Sequence, residues 1–221
     1  MCGRFALTSS PAELARQFNC FTECEWQPQY NLAPRAAIPV IHNSGEEQRV
    51  ATLMQWWLVP SNTKGTPEYT HPMFNARAET LHEKASFKNS YKKRRCIIPA
   101  DAFYEWKDGV PHAFRMYDAS CFGMAGVYDS WRAPDGSTLQ SCTIITTDAN
   151  SLVEPIHNKN RMPVILDPRE YDLWLDPTIE SSAEIDALLV PFDSAAMQEY
   201  AVQRNLALNN ARCLEPVSYT H

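Results

Sequence analysis

The chain has 221 residues, 44% of them apolar and 11% aromatic, enough for one sizeable core and consistent with a single domain spanning residues 1–221. No apolar run reaches the roughly 18 residues a membrane helix needs, and no basic region followed by an apolar run opens the chain, so no membrane association and a cytoplasmic setting are expected. The net charge of −6 argues against whole-surface binding of nucleic acid, yet from Asn75 to Arg95 seven basic residues face two acidic ones, which leaves one basic flank.

In chain order, Arg4-Phe5-Ala6-Leu7 reads as a short strand. Ser10 as N-cap and Pro11 in the first turn start a helix whose apolar face is Leu14, Ala15 and Phe18. Tyr30-Asn31-Leu32-Ala33-Pro34 is too proline-bound for a central strand. Ile38 to His42 and Arg49 to Leu58 form a hairpin around Asn43-Ser44-Gly45, and residues 61–72 are a loop. Residues 78–93 are expected to be helical. Cys96 to Ala100 and Ala102 to Lys107 read as extended, with a turn at Asp108-Gly109. Strands follow at Ala113 to Tyr117, Phe122 to Trp131 and Leu139 to Thr147, then a short helix over 148–157 and a strand from Met162 to Leu166. Residues 168–175 and 181–190 are read as helical, and a last extended piece ends at Ser218. Many short strands with few helices predict an α+β fold, a curled, barrel-like mixed sheet with peripheral helices.

The seven cysteines are odd in number and scattered, so no disulfide framework is expected. Cys20 and Cys24 lack a second pair to complete a tetrahedral site, and neither a metal nor a cofactor is expected. Cys2 differs from the others. If Met1 is removed, it carries an α-amine with an ordinary pKa of about 7.7–8.0 next to a thiol of about 8.5. Such an amine condenses with an aldehyde to a Schiff base, and the thiol then closes on the imine carbon to a five-membered thiazolidine. In Phe103-Tyr104-Glu105-Trp106-Lys107, alternation puts Phe103 and Glu105 on one face, where desolvation raises the Glu105 pKa into the range useful to a general acid and base. His157, just before Arg161-Met162-Pro163, is a candidate proton carrier. Asn75 and Arg77 alternate along one extended piece, suited to a sugar or base oxygen and to a phosphate. Trp56 and Trp57 offer a platform for unpaired bases or are simply core.

Taken together, Met1 to Phe5, Tyr30 to Pro34, Trp56 with Leu58-Val59-Pro60, Asn75 to Thr80, Arg95 to Ala100, Phe103 to Lys107, and His157 with Arg161-Met162-Pro163 resemble the SRAP (SOS-response-associated peptidase) family, in family order over residues 2–166. The resemblance implies a monomeric protein of the SOS response that senses abasic sites in single-stranded DNA. It implies capture of the ring-opened deoxyribose aldehyde as a thiazolidine on Cys2. It assigns Glu105 as acid and base, including for removal of Met1, His157 to sugar ring opening and proton transfer, and Asn75 to positioning. Arg4, Arg77 and Arg161 would hold phosphates, while Asn31, Trp56 and Thr146 would line the site. Three departures stand out: Trp57 replaces a glycine of the family's Trp-Gly-Leu-Val-Pro, Asn62 stands where a stacking tryptophan is common, and the spacing from His157 to Arg161 is longer by two residues. Two other readings remain open at this stage, an N-terminal-nucleophile hydrolase acting on an acyl substrate and a noncovalent single-strand binding module.

Overall fold

The computed structural model describes residues 2–45, 48–69, 71–157, 159–180 and 183–217. In chain order the elements are β1 (Phe5–Leu7), α1 (Pro11–Phe18), β2 (Cys20–Thr22), β3 (Gln29–Leu32), β4 (Ala37–Asn43), β5 (Arg49–Trp56), β6 (Asn75–Arg77), α2 (Lys88–Lys93), β7 (Arg95–Ala100), β8 (Ala102–Lys107) and β9 (Val110–Met116). They continue with β10 (Phe122–Arg132), β11 (Thr138–Asp148), β12 (Arg161–Pro163), β13 (Ile165–Leu166), α3 (Tyr171–Leu175), α4 (Ala183–Ala187) and β14 (Met197–Ala201).

One sheet curls on itself. Strands run β11-β10-β7-β4-β5 with antiparallel neighbours, and β5 returns to β11 in a parallel pairing of Gln55 with Ser141 and Trp56 with Cys142. That last pairing closes a five-stranded barrel and removes its exposed edges. Alternation along β5 sends Met54 and Trp56 inside and leaves Gln55 half-exposed. Gly126 of β10 could not be larger: an added Cβ would stand 2.8 Å from the Thr143 carbonyl of the neighbouring strand. A second, open sheet in the order β14-β9-β8-β1-β3 packs Phe5 and Phe103 onto the main core and covers a smaller cluster of Ala6, Tyr104, Ala113, Val202 and Cys213 with its other face. The α+β, barrel-like architecture is therefore as expected.

Local chemistry explains the elements. Ser10 and Glu13 form a reciprocal capping box on α1, and Asn19 closes the helix in the left-handed region. Asp108 and Gly109, at φ 51° and 76°, make the tight β8–β9 turn. Buried Asp101, at the corner between β7 and β8, accepts from the Ser9 backbone N–H at 2.9 Å and the Ser9 hydroxyl at 2.7 Å. It thereby ties the β1–α1 corner to β8 and fixes the path of the amino-terminal segment.

Three expectations need correction. The stretch 78–93 is not one helix: a single 3-10 turn at Ala78–Thr80 and further turns precede α2. The buried Leu81 and Phe87 are six residues apart and cannot share a helical face, whereas Phe87 and Tyr91 can. The short helix expected over 148–157 is instead a run of turns at 151–156, where the Asn150 side chain accepts the backbone N–H groups of Leu152 and Val153. The helix expected over 181–190 spans only Ala183–Ala187. Ser218 and Met1 lie outside the described residues, as do Ser181 and Ser182.

Candidate active site

The strand pairings bring the amino terminus against the end of β8. Phe5 pairs with Phe103 and Ala6 with Ala102, and the Tyr104 backbone N–H donates to the Arg4 carbonyl at 3.0 Å. Cys2 therefore lies alongside Glu105. Both are buried, and the Glu105 charge acts on the Cys2 thiol. β6 lies parallel to β11, with Asn75 opposite Ile144 and Arg77 opposite Thr146. From there the Asn75 side-chain amide donates to the Cys2 carbonyl at 2.8 Å. The loop between β11 and β12 delivers His157, whose Nε2 lies 3.5 Å from Glu105 Oε2. Four residues far apart in sequence, Cys2, Asn75, Glu105 and His157, thus meet at the rim between the barrel and the open sheet.

The electrostatics follow from burial. Desolvation raises the Glu105 carboxyl to about 7, opposed by the positive charge of the chain's amino terminus. Desolvation lowers the His157 imidazole to about 4, so it is neutral at pH 7. His157 Nδ1 accepts the Arg161 backbone N–H at 3.0 Å, which places the proton of the neutral ring on Nε2, facing Glu105. Burial, and after it the Glu105 charge, pushes the Cys2 thiol far up; it donates to the Arg4 carbonyl at 3.7 Å. Cys2 thus stays a thiol until a base takes its proton. Glu105, at the midpoint of its titration near neutrality, is the adjacent group able to do so.

The remaining expected residues fall into three groups. Arg4 is half-buried and donates to the Asn31 side-chain oxygen at 3.2 Å, so these two share one edge of the site, and Arg77 is exposed beyond Asn75 on the same strand. Thr146 is buried, paired with both Arg77 and Pro163. Arg161 is enclosed: its guanidinium meets Glu79 at 2.7 and 3.0 Å, Asp148 at 2.9 Å and the Thr146 carbonyl. Trp56 corrects an expectation. It is wholly buried, donates its indole N–H to the Phe74 carbonyl at 2.9 Å and packs edge-on against Phe5, so it presents no face to a base. Trp57, on the opposite side of the chain, is the half-exposed member of the pair.

The basic run ending at Arg95 also differs from a simple flank. Arg95 is buried and donates to the carbonyls of Trp174, Tyr91, Asp176 and Ile179, while Arg94 pairs with Asp129 at 3.2 Å. Sequence reasoning missed Glu79 and Asp148 as partners of Arg161. Glu79 sits two residues beyond Arg77, and only the tertiary pairing of β11 with β6 and β12 shows where it points. An apolar cavity of about 400 Å³ beside Met116, Phe122 and Tyr171 holds none of the four clustered groups.

Comparison with known proteins places the chain in a family. The model of the family "SOS response associated peptidase (SRAP)" matches residues 1–209. The chain belongs to this family. It is 41% identical over 210 residues, 91% of this chain and 92% of the relative, to the abasic site processing protein YoqW of Bacillus subtilis. It is 30% identical over 264 residues, 98% of this chain and 78% of the relative, to the abasic site processing protein HMCES of Gallus gallus. A crystal structure of a protein from Bacteroides thetaiotaomicron superposes with a TM-score of 0.89 at 30% identity, covering 98% of this chain and all of that one.

Proposed function

We propose that this protein processes abasic sites in single-stranded DNA by covalent capture on Cys2 after removal of Met1. The observation that carries the reading is the meeting of Cys2, held through its carbonyl by Asn75 at 2.8 Å, with a carboxyl titrating near neutrality. The names of the relatives support abasic sites as the substrate.

The steps balance as follows. The freed α-amine of Cys2 adds to the aldehyde carbon of the ring-opened deoxyribose, giving a carbinolamine. Protonated Glu105 donates to the departing hydroxyl, and water leaves as the iminium forms, its nitrogen keeping one proton. Glu105, now a carboxylate, accepts the thiol proton as sulfur bonds to the former aldehyde carbon; the C=N electron pair returns to nitrogen as a neutral amine, and Glu105 is protonated again. One aldehyde and one aminothiol give one thiazolidine and one water. A single carboxyl acting first as acid and then as base needs a pKa near the working pH, which burial supplies. His157, neutral with its proton on Nε2, steadies the sugar oxygen by a hydrogen bond during ring opening, while Glu105 carries the transferred proton. Arg4, Arg77 and the adjacent Asn31 line the strand's approach, with phosphates on the two arginines. Arg161 acts here through the loop that carries His157, its own charge being engaged by Glu79 and Asp148. In the same reading Glu105 also assists removal of Met1. Because each protein consumes one aldehyde, the product is a DNA-protein crosslink formed through a lyase-like Schiff base.

Intact mass under denaturing conditions tests this, after mixing the protein with single-stranded DNA bearing one abasic site. The expected species is the chain lacking Met1 plus the DNA less one water, absent for Cys2→Ala and for Cys2→Ser. Loss of Met1 without any adduct would favour an N-terminal-nucleophile hydrolase instead. Salt-sensitive binding with no covalent product would leave only a strand-binding module.

A further inference from the structure

The strand that carries Glu105 pairs, on its far side from the amino terminus, with a second set of titratable side chains. In the antiparallel register of β8 with β9, Glu105 stands opposite His112, as Phe103 stands opposite Phe114. Residues opposite each other in such a pair send their side chains to the same face, with Cβ atoms about 4.5–5.5 Å apart. The stacked rings of Phe103 and Phe114, 4.8 Å between centroids, show this for the neighbouring pair. One strand further, β14 sets Glu199 opposite Phe114, and the His112 Nδ1–H donates to the Glu199 carboxylate. Glu105, His112 and Glu199 therefore form one row across β8, β9 and β14, on the face that packs against the main core. Arg115 and Tyr200, the intervening residues of β9 and β14, point to the opposite face.

The row sets up a field at Glu105. Glu105 is buried, and His112 and Glu199 keep only 16% and 22% of their side-chain exposure, so solvent screens the pair in part. When the ring carries its second proton, the pair presents a cation on the strand next to Glu105 and an anion one strand beyond. The nearer charge dominates. The imidazolium favours the carboxylate of Glu105 and opposes the desolvation that favours its neutral form. The other titratable groups around Glu105 are the thiol and amine of the amino-terminal segment, His157 from the β11–β12 loop, the exposed Lys107 on its own strand and, at the rim, Arg4 and Arg77. His157 is neutral at pH 7. His112 differs from the amine in that the reaction leaves its charge alone, and from Lys107 in being mostly buried.

We propose that His112, secured by Glu199, is a positioning residue that holds Glu105 in balance between acid and carboxylate; its use in catalysis rests on the capture reading above. A carboxyl governed by desolvation alone would stay protonated too long to take the thiol proton, and one fully ionised could not expel the hydroxyl. The bland alternative is an ion pair that merely joins β9 to β14, a contact that contributes little near a surface. It asks nothing of the charge that His112 turns towards Glu105.

Carboxyl-carbon NMR of the protein with isotope-labelled glutamate reads the Glu105 titration without DNA, the signal being assigned by its loss in Glu105→Gln. In His112→Gln the cation is gone and the Glu199 carboxylate remains, so the Glu105 midpoint should rise by about half to one pH unit. His112→Lys restores a cation opposite Glu105, and the midpoint should return to that of the wild type or below. The pH optimum of crosslinking to an abasic single strand should move upward in His112→Gln and recover in His112→Lys, with affinity for an abasic-free strand unchanged. An unmoved Glu105 midpoint in His112→Gln would overturn the proposal, and so would the same shift in both variants, which a packing defect would produce. A wild type that forms no crosslink while the midpoint shifts as expected would bear against the capture chemistry and still support this role of His112.

Discussion

Two charge clusters, one reaching solvent and one buried, meet at His157 and put a carboxylate to opposite ends. On one side Arg161 is matched to Glu79 through two short contacts and to Asp148 through a third, at 2.7 to 3.0 Å. On the other, Glu105 and His157 approach only to 3.5 Å, and both are buried. The first cluster compensates its charges and fixes a loop. The second leaves two groups displaced towards their neutral forms, Glu105 up to about 7 and His157 down to about 4. The difference teaches that a carboxylate beside a cation is inert or reactive according to how fully the pair is matched and how much water it has lost. His157 connects them, taking the Arg161 backbone N–H on one nitrogen and facing Glu105 with the other.

The largest expected effect breaks the reactive cluster. Glu105→Gln keeps the shape but removes the proton acceptor, and crosslinking to an abasic strand should slow by about a hundredfold or more. Binding to intact single-stranded DNA should stay within about twofold. An equal loss of binding, measured by fluorescence anisotropy on the same variant, would make Glu105 a structural residue and would sink its assigned role.

Next comes the dependence of stability on pH, where the two members act with opposite sign. Glu105 has a raised folded pKa, so between about 4.5 and 7 the folded state holds more protons than the unfolded one, and its contribution falls as pH rises. His157 has a lowered folded pKa, so its contribution is lost as pH falls from about 6.5 towards 4. In the wild type the two slopes largely oppose each other between pH 4.5 and 6.5. Urea titrations should therefore show a stability that rises with pH over 4 to 6.5 in Glu105→Gln and falls with pH over 4.5 to 7 in His157→Gln. At pH 8 Glu105→Gln should gain about 3 kcal/mol, the free energy that ionising a buried carboxyl withholds from the wild type. Parallel pH profiles for both variants and the wild type would show that neither group is displaced from its ordinary value.

Much of this site was legible in the sequence. Period-two alternation placed Glu105 on the face of Phe103, Ser10 as N-cap marked the start of α1, and the Asp108-Gly109 turn marked the end of β8. The motif resemblance named Cys2, Asn75 and His157. What stayed hidden depends on pairing between distant strands. Trp56 and Trp57 look equivalent in sequence, but closure of the barrel at Trp56 buries one and leaves the other half-exposed. The run Lys92 to Arg95 reads as a uniform basic flank, yet α3 and the segment after it enclose Arg95 in carbonyls and leave only the lysines to solvent. The positive φ of Arg35, in the turn between β3 and β4, carries no signal at all, because such a φ is ordinarily announced by glycine or asparagine.

The smallest effect sharpens the comparison from the inert side. Glu79→Gln leaves Asp148 and the Thr146 carbonyl on Arg161 but removes the bidentate partner, so the backbone N–H that fixes the His157 tautomer is held less firmly. Crosslinking should fall by about threefold to tenfold, well short of the roughly hundredfold that a full 1 Å misplacement carries. Affinity for the strand should be unchanged, and Glu79→Asp should recover part of the rate by restoring the charge. A rate loss that tracks lost affinity instead would place Arg161 on a phosphate and Glu79 in the role of its stand-in. An unchanged rate would mean that the Arg161 cluster supports the fold without reaching the chemistry, and that the turns on either side of His157, through the Val153 carbonyl and the Asn160 N–H, suffice to orient it.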